Sequence, residues 1–123
     1  MSRDYLLYLE DIREGCEKLL RYTAGREFAE FTADERTFDA ALLNFIVIGE
    51  AVKSIPDDVK GRHPDIEWRR IGRLRDLVVH HYFGVVPQIL WDIIQTDVPE
   101  LLRSVREILD ADDPNRGGQP TAS

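Results

Sequence analysis

Phe38-Asp39-Ala40-Ala41-Leu42-Leu43-Asn44-Phe45-Ile46-Val47-Ile48-Gly49-Glu50-Ala51-Val52 is the stretch on which the fold turns. Its centre, Phe45-Ile46-Val47-Ile48, is the longest apolar run nearby and is rich in β-branched residues. It reads either as a buried strand or as a helix that is apolar on nearly every side. The length of the segment and the absence of turn signals on either flank favour the helix, running from about residue 33 to 55. Thr32 or Asp34 can cap its start, and Pro56 ends it. A helix apolar nearly all round belongs at the centre of a bundle or at a subunit interface.

Working outward, residues 4–22 place Tyr5, Tyr8, Leu9, Ile12, Cys16, Leu19 and Leu20 at three- and four-residue steps, the stripe of an amphipathic helix. Thr23-Ala24-Gly25 is its stop, with Gly25 free to turn left-handed. Phe28 and Phe31 suggest a short helical turn pinned to the core. Beyond Pro56, the acidic Asp57-Asp58 start a turn or two of helix. His63-Pro64-Asp65 is a loop, since the residue before proline avoids the helical region. Asp65 is then expected to cap a third long helix carrying Ile66, Trp68, Ile71, Leu74, Leu77 and Val78, ending near His81. Val85 to Pro87 reopens a helix with Ile89, Leu90, Ile93 and Ile94, and Pro99 predicts a kink or restart. Leu101, Leu102, Val105, Ile108 and Leu109 form the last apolar face. No strand is convincing. The expectation is all-α, an antiparallel bundle of four to five main helices over residues 1–109. The polar, Gly- and Pro-containing segment 110–123 reads as a disordered tail.

The chain has 123 residues, enough for one domain, with 43% apolar and 32% charged residues. A formal net charge of -7 argues against a protein that coats nucleic acid by bulk electrostatics. The charge is uneven, however. Lys60, Arg62, Arg69, Arg70, Arg73 and Arg75 face only Asp65 and Glu67 in the same segment, and the plain reading is a solvated helix face. The single Cys16 excludes an internal disulfide framework and fits a reducing compartment. No leader or membrane-spanning run is evident, so a cytoplasmic location is expected.

The basic segment runs into Arg75-Asp76-Leu77-Val78-Val79-His80-His81-Tyr82. At about 100° per residue, Arg75 and His80 point about 140° apart on a straight helix. Asp76 and His80, four apart, share a face and could hydrogen-bond. A site using both Arg75 and His80 needs a distorted helix end, or a second copy of the helix across a two-fold axis. A cleft of two arginines and two histidines suits RNA cleavage. An imidazole can take the proton of a ribose 2'-hydroxyl, and a guanidinium fork can hold the phosphate. Taken bare, the spacing is common, and His80 can equally be a histidine at a helix C-terminus. Metal ligation is disfavoured, because the adjacent His80 and His81 diverge and neither Cys16 nor His63 stands at ligand spacing. Glu50 has two readings: a solvent-facing carboxylate paired with Lys53 or Lys60, or a partly buried one that orients an arginine.

Arg75-x4-His80-x-Tyr82 resembles the motif of the HepT-like toxins in the HEPN superfamily. The likeness extends to Ile48-Gly49-Glu50-Ala51, Pro64-Asp65-Ile66-Glu67-Trp68, Tyr82-Phe83-Gly84-Val85, Trp91-Asp92-Ile93 and Asp97-Val98-Pro99-Glu100-Leu101, about residues 3–109 in all. The resemblance implies a helical homodimer and an endoribonuclease that needs no metal or other cofactor, its site at the dimer interface. Arg75 and His80 would be catalytic and Asp76, often asparagine in the family, supporting. It also implies an antitoxin partner, a nucleotidyltransferase of the MntA-like type, that transfers AMP to the motif tyrosine, here Tyr82. A different class of function is a non-catalytic helical subunit that binds a nucleotidyltransferase or a nucleotide.

Overall fold

The computed structural model describes residues 4–80 and 84–117. Among these every regular element is a helix: α1 (Asp4–Thr23), α2 (Phe28–Ala33), α3 (Glu35–Ser54), α4 (Asp57–Arg62), α5 (Trp68–His80), α6 (Pro87–Asp112) and α7 (Pro114–Gly117). Four are long, and they make an all-α bundle. The choice between helix and strand for Phe45–Ile48 falls to helix. Phe45 and Ile48 are buried in α3, while Leu43 and Val47 keep one stripe in water. Helix α3 is therefore central, with α1 on one flank and α5 on the other.

Local chemistry explains most of the boundaries. Gly25 closes α1 with φ 74°, the left-handed turn that a residue with a side chain resists. Asp34, not Thr32, caps α3: its carboxylate accepts the Thr37 backbone N–H at 3.3 Å and the Thr37 hydroxyl at 2.7 Å. These bonds, followed by the Arg26 guanidinium at 3.0 Å, hold the Asp34 carboxyl down to about 2. Phe31 is fully buried against Phe38 and Trp91, which pins α2 to the core.

Three boundaries differ from the sequence expectation. Asp65 does not start α5. Residues 63–66 form a turn, and the Trp68 indole N–H donates to the His63 carbonyl at 3.0 Å, so the helix begins only at Trp68. Pro99 causes no restart, and α6 is one helix of 26 residues. The carbonyl that loses its donor is that of Gln95; both residues lie on the exposed side, where water can replace the missing bond. Finally, α6 continues past Leu109 to Asp112, whose carboxylate accepts from the Tyr5 hydroxyl at 3.1 Å and so ties the last turn to α1. His81, Tyr82 and residues 118–123 lie outside the described residues.

The core is contiguous. Leu9, Ile12, Cys16 and Leu19 of α1 and Leu90, Ile94, Val105 and Leu109 of α6 are fully buried and join the buried side of α3 in one core. Asn44, a polar residue inside, donates to the Ala40 carbonyl at 2.8 Å, so its burial leaves no orphan donor there. No helix among the described residues is long and apolar enough to cross a membrane.

Candidate active site on helix α5

Helix α5 presents four sides, read from its neighbours. Val78 faces the core, and Arg70 reaches α6 through Asp97 at 2.9 Å. Gly72 and Arg75 face α3. Arg69, Arg73, Asp76 and His80 recur at four- and three-residue steps and form the remaining crest, along which Arg69, Arg73 and His80 are exposed. Arg75 and His80 thus occupy different sides of a regular helix, as the helical wheel requires.

Arg75 owes its place to Gly49. A Cβ at position 49 would lie 2.3 Å from the Cβ and 3.1 Å from the backbone nitrogen of Arg75. Without one, the α5 backbone settles directly on α3. The arginine is then gripped on both sides. Its Nε is fully covered and lies against Oε2 of Glu50 as an ion pair, without the alignment of a hydrogen bond. Its Nη1 donates to Oδ1 of Asp76 at 3.2 Å. The same Oδ1 accepts from Nζ of Lys53 on α3 at 2.6 Å. Glu50, Lys53, Arg75 and Asp76 therefore form one charge-balanced network across the α3–α5 seam.

The network shifts its members in consistent directions. The hydrogen bond to Asp76, reinforced by the negative charge of Glu50, holds the Arg75 guanidinium protonated more firmly than usual. Lys53, then Arg75, hold the Asp76 carboxyl below its usual range. An ionised Asp76 is an acceptor only, and the contacts it makes are with Lys53 and Arg75. The bond to His80 that the spacing allows does not form: the competitor comes from α3, which the spacing along α5 could not reveal. The structure takes part of each reading for Glu50: the carboxylate is exposed to solvent rather than partly buried, but its partner is an arginine, and Lys53 is engaged with Asp76 instead.

His80 ends α5 on the exposed crest. Tyr82, two residues on, is outside the described part. Among the described residues no group of three His, Cys, Asp or Glu side chains is placed to hold a metal ion. Half of the basic segment is consumed by ion pairs: Arg62 with Asp112, Arg70 with Asp97 and Glu67, and Arg75 as above. The solvated-face reading holds for Arg69 and Arg73.

Comparison with known proteins decides what this arrangement belongs to. The sequence model of the family described as Ribonuclease HepT-like matches residues 12–108. The chain belongs to the HepT-like ribonuclease family. This HepT-like chain is 42% identical over 101 residues to the "Probable ribonuclease HepT" of Thermococcus cleftensis, covering 82% of this chain and 92% of that protein. It is 37% identical over 108 residues to "Putative RNase MJ0127" of Methanocaldococcus jannaschii, covering 88% and 89%. A third relative, "Putative RNase TTE0752" of Caldanaerobacter subterraneus subsp. tengcongensis, is 38% identical over 102 residues, covering 83% and 91%. No solved structure matches. The matched region of the HepT-like chain contains every residue of the α3–α5 network and His80.

Proposed function

We propose that this HepT-like chain is the toxin of a toxin–antitoxin pair, a cytoplasmic endoribonuclease that works as a homodimer without a metal. The observation that carries the proposal is the division of α5. Arg75 is held on the α3 side, and His80 stands free on the crest. One chain presents them to different directions, and a second copy across a two-fold axis brings an arginine of one chain towards a histidine of the other.

In that cleft His80 takes the proton of a ribose 2'-hydroxyl, and the oxygen attacks the adjacent phosphorus. Arg75 stabilises the charge that builds on the phosphate oxygens. The bond to the 5'-oxygen breaks, and a protonated histidine returns a proton to the leaving oxygen. The products are a 2',3'-cyclic phosphate and a 5'-hydroxyl. Asp76 supports Arg75. Tyr82, two residues beyond His80, is the site at which an MntA-like nucleotidyltransferase partner would add AMP. The added charge and bulk would stand where the RNA phosphate must lie.

Arg75→Ala and His80→Ala test this directly. Each is expected to abolish RNA cleavage and growth inhibition while the far-ultraviolet spectrum stays helical. A His80→Ala protein that cuts RNA as well as its parent overturns the assignment. A parent that cuts no RNA yet forms a stable complex with a nucleotidyltransferase makes the chain a non-catalytic subunit instead.

A further inference from the structure

The α3–α5 seam contains a group that the proposed chemistry does not yet use. Glu50 is a carboxylate on a largely apolar helix, beside the residue at which α5 comes closest. It is itself exposed to water, yet it lies against Nε of Arg75, a nitrogen that water does not reach. We propose that Glu50 is a positioning residue that fixes which edge of the Arg75 guanidinium is offered to an RNA phosphate.

The argument is geometric. A guanidinium is planar and can bind a phosphate in bidentate fashion through either of two edges, Nε with one terminal nitrogen or the two terminal nitrogens together. Glu50 occupies Nε, so the side edge is closed. The pair Nη1 and Nη2 remains, and the contact of Nη1 with Asp76 at 3.2 Å is the longer and more replaceable of the two. An incoming phosphate can take the place of Asp76, which keeps Lys53 as a partner at 2.6 Å. Glu50 stays, because without it the covered Nε of a cation would lose the opposite charge beside it. The side chain is then held at both ends: its Cβ lies against Gly49 and its Nε against Glu50, two consecutive residues of α3. Arg75 needs no reordering when substrate binds, which is the condition for electrostatic stabilisation at low cost. A carboxylate that merely masked Arg75 would do the opposite, since its removal would free the cation for RNA.

This inference rests on the ribonuclease reading, and the experiment keeps the two separable. Cleavage of a fluorescent single-stranded RNA is measured for the parent, Glu50→Gln, Arg75→Ala and the double variant. The Nε–H signal of Arg75 is followed by proton–nitrogen NMR in the parent and Glu50→Gln. The expected result is a loss of about 10- to 100-fold in kcat for Glu50→Gln, the scale of a misplaced catalytic group. Any residual cleavage in the Arg75→Ala background should not change on adding Glu50→Gln. The Nε–H signal should be slow to exchange in the parent and lost to exchange in the variant, with the thermal midpoint nearly unchanged. Unchanged or faster cleavage by Glu50→Gln, or an additional loss on top of Arg75→Ala, overturns the positioning role. If the parent cuts no RNA, the ribonuclease reading fails by itself. The grip on Arg75 is then judged by the Nε–H signal alone, and an unchanged signal overturns it.

Discussion

Helix α3 touches its two long neighbours through glycines, and the two seams are opposites. On the α1 side Gly15 faces Ile48, where a Cβ would lie 2.7 Å from Cγ1. That seam is apolar, with Leu9, Ile12, Cys16 and Leu19 fully buried along α1. On the α5 side Gly49 faces Arg75, and the seam carries Glu50, Lys53 and Asp76. The same device, a missing side chain at a helix crossing, yields dense apolar packing in one place and an organised cluster of charges in the other. The first seam can hold the fold, and the second can spend its closeness on chemistry because the first does so.

The sharpest way to test that division is to damage one seam and read the other. Phe45→Ala removes a fully buried ring from α3 and should cost about 3–5 kcal/mol of unfolding free energy by denaturant titration. The fraction that remains folded should cleave RNA at the parental rate. A drop in cleavage per folded molecule would mean the core and the site are not separable.

Smaller effects come from the glycines themselves. Gly49→Ala would set a methyl against the Cβ and backbone of Arg75, which cannot move without moving α5. It should destabilise by about 1–3 kcal/mol, offset by about 1 kcal/mol of helix propensity, and reduce cleavage more than tenfold. Gly15→Ala meets Cγ1 of Ile48, a buried β-branched side chain with little freedom to turn, so it should also cost about 1–3 kcal/mol, offset by about 1 kcal/mol of helix propensity, but with cleavage per folded molecule intact. Equal losses of cleavage from both variants would break the contrast between the seams.

The smallest expected effect is at the cap that starts α3. The Asp34 carboxyl sits at about 2 against an ordinary value of 3.8. Its pKa is lowered by folding, so its contribution is present above the ordinary value and fades as pH falls through about 2. Thermal midpoints measured from pH 5 to pH 2 should decline less steeply in Asp34→Asn than in the parent. Parallel profiles would show that the cap is not coupled to folding.

The sequence revealed the elements better than their ends. Apolar spacing located all four long helices because it records which side of each must be buried. The start of α5 and the end of α6 were misplaced because they depend on partners distant in the chain or off the helix, the His63 carbonyl for Trp68 and Tyr5 for Asp112. The site shows the same limit. The divergence of Arg75 from His80 follows from one helix alone and was legible. The engagement of Asp76 with Lys53 and of Arg75 with Glu50 requires knowing that α3 and α5 lie side by side, which periodicity cannot say. Glu50 was visible only as one of two alternatives, and the adjacent Gly49 was the unused clue that another helix comes close.

Cys16 carries a practical consequence. It is the chain's single cysteine, fully buried in the core on α1, and burial, followed by the charge of Glu17, pushes its thiol up to about 12. In the native protein it is expected to react very slowly with thiol reagents. A cysteine introduced at an exposed position such as Leu7 would therefore be the only one to take a label, ready for distance measurements between two copies. In the unaltered chain, any modification of Cys16 would count how often the core around α1 opens.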